Sequence, residues 1–356
     1  MKLTDVYSAK RIALVYNEVA SNRIAYLGEG LFPTRKKMGL DLSWIKTSKG
    51  LPVSLKPSAF DTVSTLRSRE GIQITETEMA FFKESMLVKE KDEQDIMRVL
   101  DSNDPYAKDV VGRIFDDATT LVDGANVVPE RMIFQLLAPQ TNGKPQISIA
   151  ADNAVYSYDY DPDNSWTASN YRALTGTSAW DDLDDSDPIQ DVMDMCDAVE
   201  AKTGSRPKKM IVSAATMNLL KKNDKVRAYV LAQNSTATVV MTDARVKEVF
   251  SNELDIAIIV YTKQFKDESG VATKFYPDKF ATLIPDGTLG NTWKGTTPEE
   301  RTLMANPAAD VAVTANGVAI AVTVSNDPVQ TKTTVSEIVL PSYERMDEVA
   351  VLKVTA

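Results

Sequence analysis

The sequence predicts a mixed helix-and-strand fold, and three observations predict it. Residues 104–138 carry an apolar stripe at helical spacing behind a capping residue. Residues 188–261 switch repeatedly between helical and strand-like periods. Residues 310–356 form a Val-, Ile- and Thr-rich tail punctuated by Asn316-Gly317. The alternation by itself fits an α/β or an α+β domain.

Length and composition set the bounds. The chain has 356 residues, enough at ~150 residues per domain for about two domains, and can bury roughly three quarters of its unfolded surface. It holds 43% hydrophobic and 25% charged residues, the balance of an ordinary globular protein. It has no His, which excludes Ser-His-Asp triads, Cys-His pairs, HExxH zinc sites and an imidazole pH switch. The one cysteine, Cys196, can form neither an internal disulfide nor a multi-cysteine metal site, which fits a reducing compartment. Its setting, Val192-Met193-Asp194-Met195-Cys196, reads as a buried helical position. Lys+Arg number 40 against 50 Asp+Glu, a net charge of −10, which argues against a general nucleic-acid binder but not against a protein that encloses DNA without gripping it. No run approaches a membrane span, and no apolar signal core follows Met1.

In chain order, residues 1–20 predict a short amphipathic helix. Thr4 or Asp5 caps it, and Val6, Ile12, Val15, Tyr16 and Val19 form its stripe. Gly28, Gly30, Pro33 and Gly39 then predict an extended arm. Residues 50–82, with Thr-rich segments either side of Leu66-Arg67-Ser68-Arg69-Glu70-Gly71, predict a β-hairpin. It holds too few apolar residues to stand alone and should lie on something else. In 104–125, Asp104 caps, Pro105 fits the first helical position, and Val111, Ile114, Ala118, Leu121 and Ala125 follow on one face. Gly124 and Pro129 mark an expected kink or break before helix resumes at 131–137, giving a rod of roughly 50 Å.

Residues 145–158 predict a strand pair and 159–187 an acidic polar linker. Helix (188–202), strand (209–213), helices (215–233 and 243–251) and strand (256–261) follow. Asp267-Glu268-Ser269-Gly270 predicts a hairpin turn within 263–274, and Asn316-Gly317 another in the tail.

Candidate sites are few. Asp159-x-Asp161-x-Asp163 has the spacing that opens a calcium loop, but Asn164 stands where the turn needs Gly, Asn170 where a bidentate Glu is required, and Pro162 stiffens it, so a solvated acidic loop is expected and no metal. Gly287-x-x-Gly290 near Gly295 lacks the strand-to-helix context of a phosphate loop, so no cofactor is expected. Paired carboxylates among 50 acids carry no signal for glycosidase chemistry. Arg67 and Arg69 read either as solvated turn charges or as bidentate partners for carboxylates on a neighbouring chain. Trp166 and Trp180 read either as local anchors for the polar linker or as contacts to a partner subunit.

Four motifs, in order along the chain, resemble the major capsid proteins of tailed bacteriophages, most closely the lambda-like major head protein family (capsid protein E). Leu31-Phe32-Pro33 with Lys36-Lys37 and Leu40-Asp41-Leu42-Ser43-Trp44-Ile45 is similar to that family's arm. Leu66-Arg67-Ser68-Arg69-Glu70-Gly71 is similar to its extended loop, and Asp104-Pro105-Tyr106 to the start of its spine helix. Gly176-Thr177-Ser178-Ala179-Trp180 followed by Asp187-Pro188-Ile189 is similar to the entry to its axial domain. The 300–330 region matches least.

The resemblance implies an α+β fold of the Hong Kong 97 type. It implies an N-terminal arm (1–45) along an adjacent subunit and an extended β-hairpin loop (46–84) across a neighbour. It further implies a peripheral domain (85–187) with spine helix 104–138, an axial domain (188–330, with 300–330 an elaboration), and returning peripheral strands (331–356). The implied role is structural rather than enzymatic: pentamers and hexamers of an icosahedral shell enclosing double-stranded DNA without specific binding. Expected partners are a separate scaffolding protein, because arm-like residues begin near Met1, and a portal protein; a decoration protein is left open. The expected location is the virion, after assembly in the host bacterial cytoplasm. Arg67, Arg69, Glu70 and Trp180 are the expected inter-subunit contacts. Two alternatives stay open at this point: an encapsulin-like nanocompartment shell, and a carboxylate-dependent enzyme or ligand-binding protein.

Overall fold

The computed structural model describes residues 8–18, 25–45, 74–90, 94, 106–151, 154–232, 240–306, 310–326 and 329–355. The expected hairpin turn at 66–71, the capping residues Thr4, Asp5 and Asp104, and Pro105 lie outside them.

The chain opens with α1 (Ala9–Glu18), a single turn α2 (Leu27–Leu31), and strands β1 (Thr34–Lys36), β2 (Asp41–Ile45), β3 (Ile74–Glu78) and β4 (Ala80–Val88). Next comes α3 (Tyr106–Leu137), 32 residues or about 48 Å at 1.5 Å each. Here the structure decides against the expected break: the helix continues through Gly124 and Pro129. Proline deprives the carbonyl four residues back of its donor and crowds it, and buried residues on both sides of it, Leu121 and Val122 before and Met132 and Ile133 after, offset that cost.

Beyond α3 lie β5 (Gln146–Ala151), β6 (Ala154–Asp159), α4 (Ser165–Asn170), β7 (Tyr171–Ala173) and α5 (Pro188–Thr203). The expected linker is therefore partly regular. Asp187 caps α5 by accepting from the Gln190 N–H at 3.1 Å, Pro188 occupies its first turn, and Gly204 closes it in the left-handed conformation. Then follow β8 (Lys209–Val212), α6 (Ala214–Lys222), α7 (Asp224–Ala232), α8 (Asp243–Leu254), β9 (Ala257–Val260), β10 (Gln264–Lys266), β11 (Ala272–Lys274), β12 (Phe280–Ile284) and β13 (Asn291–Lys294). The last elements are α9 (Pro298–Ala305), β14 (Val311–Val313), β15 (Ala319–Asn326), β16 (Val329–Ser342) and β17 (Ala350–Lys353).

These elements form two compact units. Unit 1 comprises residues 1–43, 76–131 and 291–342. Its sheet has the order β1-β13-β16-β15-β14, with β4 also paired to β16. Its core joins Ala9, Ile12 and Ala13 of α1 to Ala118, Leu121 and Val122 of α3 and to Val318, Ile320, Val322 and Val335 of the sheet. The described part of the expected arm thus packs on its own chain. Burying Ile12 completely is worth about 2 kcal/mol.

Unit 2 comprises residues 44–75, 132–290 and 343–356. Its sheet has the order β7-β17-β12-β8-β9. All five residues of central β12 are buried, as befits a strand covered on both faces. The core includes Trp180, Val192, Met195, Cys196, Met210, Phe250 and Leu352. The tail expected to return in one piece is divided between the units. Val329–Ser342 pairs with β15, β4 and β13, whereas Ala350–Lys353 pairs with β12 and β7. The 300–330 elaboration sits in unit 1 for the same reason: β15 pairs with β16 over eight residues.

Candidate assembly surface

Residues 46–73, which carry the expected loop, are flanked by two legs in unit 1. The first runs through β1 and the following turn, the second through Met79 and β4. Thr34, Arg35 and Lys36 lie beside Thr292, Trp293 and Lys294 in parallel register, and the Lys37 N–H donates to the Lys294 carbonyl at 2.8 Å. The second leg pairs antiparallel with β16, from Ala80 opposite Val339 to Val88 opposite Thr331. The legs are joined where β2 pairs with β3 and where the Met79 N–H donates to the Leu40 carbonyl at 2.9 Å.

Charged side chains converge on the seat of these legs. Thr297 caps α9 by accepting from the Glu300 N–H at 3.2 Å, which sets Glu299 and Glu300 side by side in the first turn. Glu300 accepts from Lys36 of β1. Glu299 accepts from Lys83 of β4 at 2.5 Å and from the Ser336 hydroxyl of β16 at 2.6 Å. Burial pushes the Glu299 carboxyl up, but the bonds from Lys83 and Ser336 outweigh it and hold the group below its ordinary value. Beneath them Lys294 and Glu337 form a pair at 2.8 Å, their side chains 3% and 1% exposed. Burial raises the Glu337 carboxyl against the pull of Lys294, and its Oε1 has no hydrogen-bond partner among the described residues.

The residues singled out in the sequence fall elsewhere. Arg67, Arg69 and Glu70 lie outside the described residues. Trp180, expected as an inter-subunit contact, has no exposed surface. It packs in the unit 2 core and its indole N–H donates to Asp191 at 3.0 Å, so its side chain anchors its own chain and presents nothing to a neighbour. Trp166 is likewise buried, donating to the Met346 carbonyl at 2.8 Å. The acidic triplet is engaged within its own loop. Asp161 accepts from the N–H groups of Trp166 and Thr167 at 3.0 and 2.8 Å, Asp159 from the Asp161 N–H, and Asp163 from Ser165. Among the described residues no three acidic, His or Cys side chains are grouped as a metal site. The Gly287 turn is filled by Arg345, whose guanidinium donates to the Asp286 and Thr288 carbonyls at 2.9 and 3.0 Å. Cys196 is buried.

Lys36, Lys83, Glu299, Glu300, Lys294 and Glu337 escaped sequence reasoning. The one signal was Thr297-Pro298-Glu299-Glu300, a helix start with a Thr-x-x-Glu capping spacing. Which lysines those acids meet is set by strands more than 200 positions away.

The fold has known counterparts. A family model described as phage major capsid protein E matches residues 9–354. Among solved structures, a prophage protein of E. coli CFT073 assigned as its capsid protein aligns with a TM-score of 0.58 at 15% identity, covering 98% of this chain and 99% of that one. A phage-related protein from Bordetella bronchiseptica RB50 aligns with a TM-score of 0.54 at 12% identity, covering 96% of each. No curated protein matches.

Proposed function

This chain belongs to the phage major capsid protein E family, and on that premise we propose how it builds a viral head. It is a major capsid protein of the Hong Kong 97-type fold, and copies of it assemble into the multimeric shell of the virion. The observation that carries this reading is the family match over residues 9–354.

The finer reading is the following. Copies form pentamers and hexamers of an icosahedral shell around the double-stranded DNA of a tailed phage, assembled in the host cytoplasm with a scaffolding protein and a portal protein. The work is packing rather than catalysis. Each contact is weak, and closed symmetry multiplies contacts per subunit. The net charge of −10 supports a container that does not grip its contents. Residues 46–73 reach across a neighbouring subunit, and Arg67, Arg69 and Glu70 form ion pairs there; residues 80–84, expected in the same loop, pair instead with β16 of their own chain. Residues 188–290 supply the axial domain. Trp180 is left out of the contact set because its side chain is buried.

Negative-stain microscopy of the chain expressed with and without its scaffolding protein tests the reading. Shells or tubes are expected, and small uniform particles under both conditions would refute it. The Arg67→Ala/Arg69→Ala chain should fold, with an unchanged far-UV spectrum, yet fail to close shells. Normal particles from it would remove these residues from the contact.

A further inference from the structure

The segment 294–300 touches both legs of the 46–73 segment at once. Lys294 gives its carbonyl to the Lys37 N–H of the first leg. Glu300 takes Lys36 of the same leg, while its neighbour Glu299 takes Lys83 of the second leg. Between them sits Gly295, itself tied by its N–H to the Ile338 carbonyl at 2.9 Å. A Cβ at this glycine would stand 2.6 Å from Ile338 Cγ2, 2.8 Å from the Gly39 carbonyl oxygen of the first leg and 3.0 Å from Met79 Cε of the second. Both legs therefore close over one residue that has no side chain, and two adjacent acids hold one leg each. Lys36 and Lys83 are 47 positions apart in the chain, and this seven-residue segment offers each of them an acid from adjacent positions.

Two adjacent residues on one helical turn share a single backbone frame. Glu299 and Glu300 share the frame that Thr297 caps, and the Glu300 N–H is itself the group that Thr297 holds. Lys36 and Lys83 therefore both pull on the one turn that Thr297 caps. The second anchor of Glu299, the Ser336 hydroxyl, ties the same turn to the strand opposite Lys83.

We infer that residues 294–300 act as a clasp that couples the two legs of the 46–73 segment, so that β1 and β4 tighten or loosen together. This assigns a role to the start of the region that resembles the family least, and it does not depend on where residues 46–73 reach.

Amide hydrogen exchange of the purified full chain tests the clasp. Glu300→Gln touches only Lys36, and Glu299→Gln touches Lys83 and Ser336. Coupling predicts that each variant speeds exchange in both β1 and β4 by about fivefold or more, the size expected from weakening one charged hydrogen bond, with β8 and β12 of unit 2 unchanged. If each variant loosens only the strand it touches, or if neither strand responds, the inference is overturned. The charge swap Lys36→Glu/Glu300→Lys serves as a second reading should the Gln variants unfold. Protection regained in β4 as well as β1 supports the clasp, and protection regained in β1 alone overturns it. Gly295→Ala adds no charge, yet should release both strands, because its methyl group displaces Gly39 and Met79 together.

Discussion

Arg345 shows how much one side chain can organise when most of its N–H donors are used. It pairs with Glu348 through two bonds of 3.0 and 2.6 Å and caps two carbonyls of the Gly287 turn. The guanidinium, helped by Ser205, holds the Glu348 carboxyl below its ordinary value despite partial burial. A depressed carboxylate stabilises the fold above its unfolded pKa, and that contribution disappears as pH falls through the folded pKa. Glu348→Gln should therefore lower stability at pH 7 by well under about 1 kcal/mol, since solvent screens this partly exposed pair. It should leave stability near pH 2 unchanged, read by urea midpoints at both values. Cys196 is governed by burial, which pushes its thiol up to about 11. The thiolate is thus absent at neutral pH, and a thiol reagent should modify the folded chain at a rate set by unfolding. Rapid labelling without denaturant would contradict the placement of Cys196 in the unit 2 core.

At the scale of elements, local capping and long-range pairing do separate jobs. Asp161 closes the first turn of α4 with three bonds, to two N–H groups and to the Thr167 hydroxyl at 2.6 Å. Asp161→Ala should cost about 1–3 kcal/mol, because it strands buried donors, and a fall in the midpoint of thermal unfolding would report it. The Lys294–Glu337 pair joins β13 to β16 in a setting where neither charge reaches water. Removing one partner leaves the other buried and uncompensated, so Lys294→Met should cost about 3–5 kcal/mol, whereas Lys294→Met/Glu337→Leu should recover most of it. Denaturant melts of the two variants make the comparison. A double variant no better than the single one would show that the pair holds the strands together rather than merely tolerating burial.

For the whole molecule, charge opposes the self-association that the family requires. Each copy carries a net charge of −10, and repulsion between copies reaches about 30 Å at 0.01 M salt but only about 8 Å at 0.15 M. Light scattering of the purified chain should therefore grow faster at the higher salt concentration. Slower growth there would mean that ion pairs between copies outweigh the net repulsion.

Element type was legible along much of the chain because it is written in local chemistry. Asp187-Pro188 and Gly204 mark the ends of α5, and Asn316-Gly317 marks the turn before β15. The family, too, was legible, since its motifs keep their order along the chain. Fates that depend on distant partners were not legible. Trp180 reads equally well as an anchor or a contact until the core closes around it. Pro129 reads as a break until packing on both sides carries the helix past it. The tail reads as one returning piece until β16 and β17 each find a different sheet. Spacing along a chain reports backbone preference and amphipathicity, which act over a few residues. Pairing of Lys36 with Glu300, or of Lys83 with Glu299, is selected by the free energy of the assembled sheet and exists only once strands far apart in sequence lie side by side.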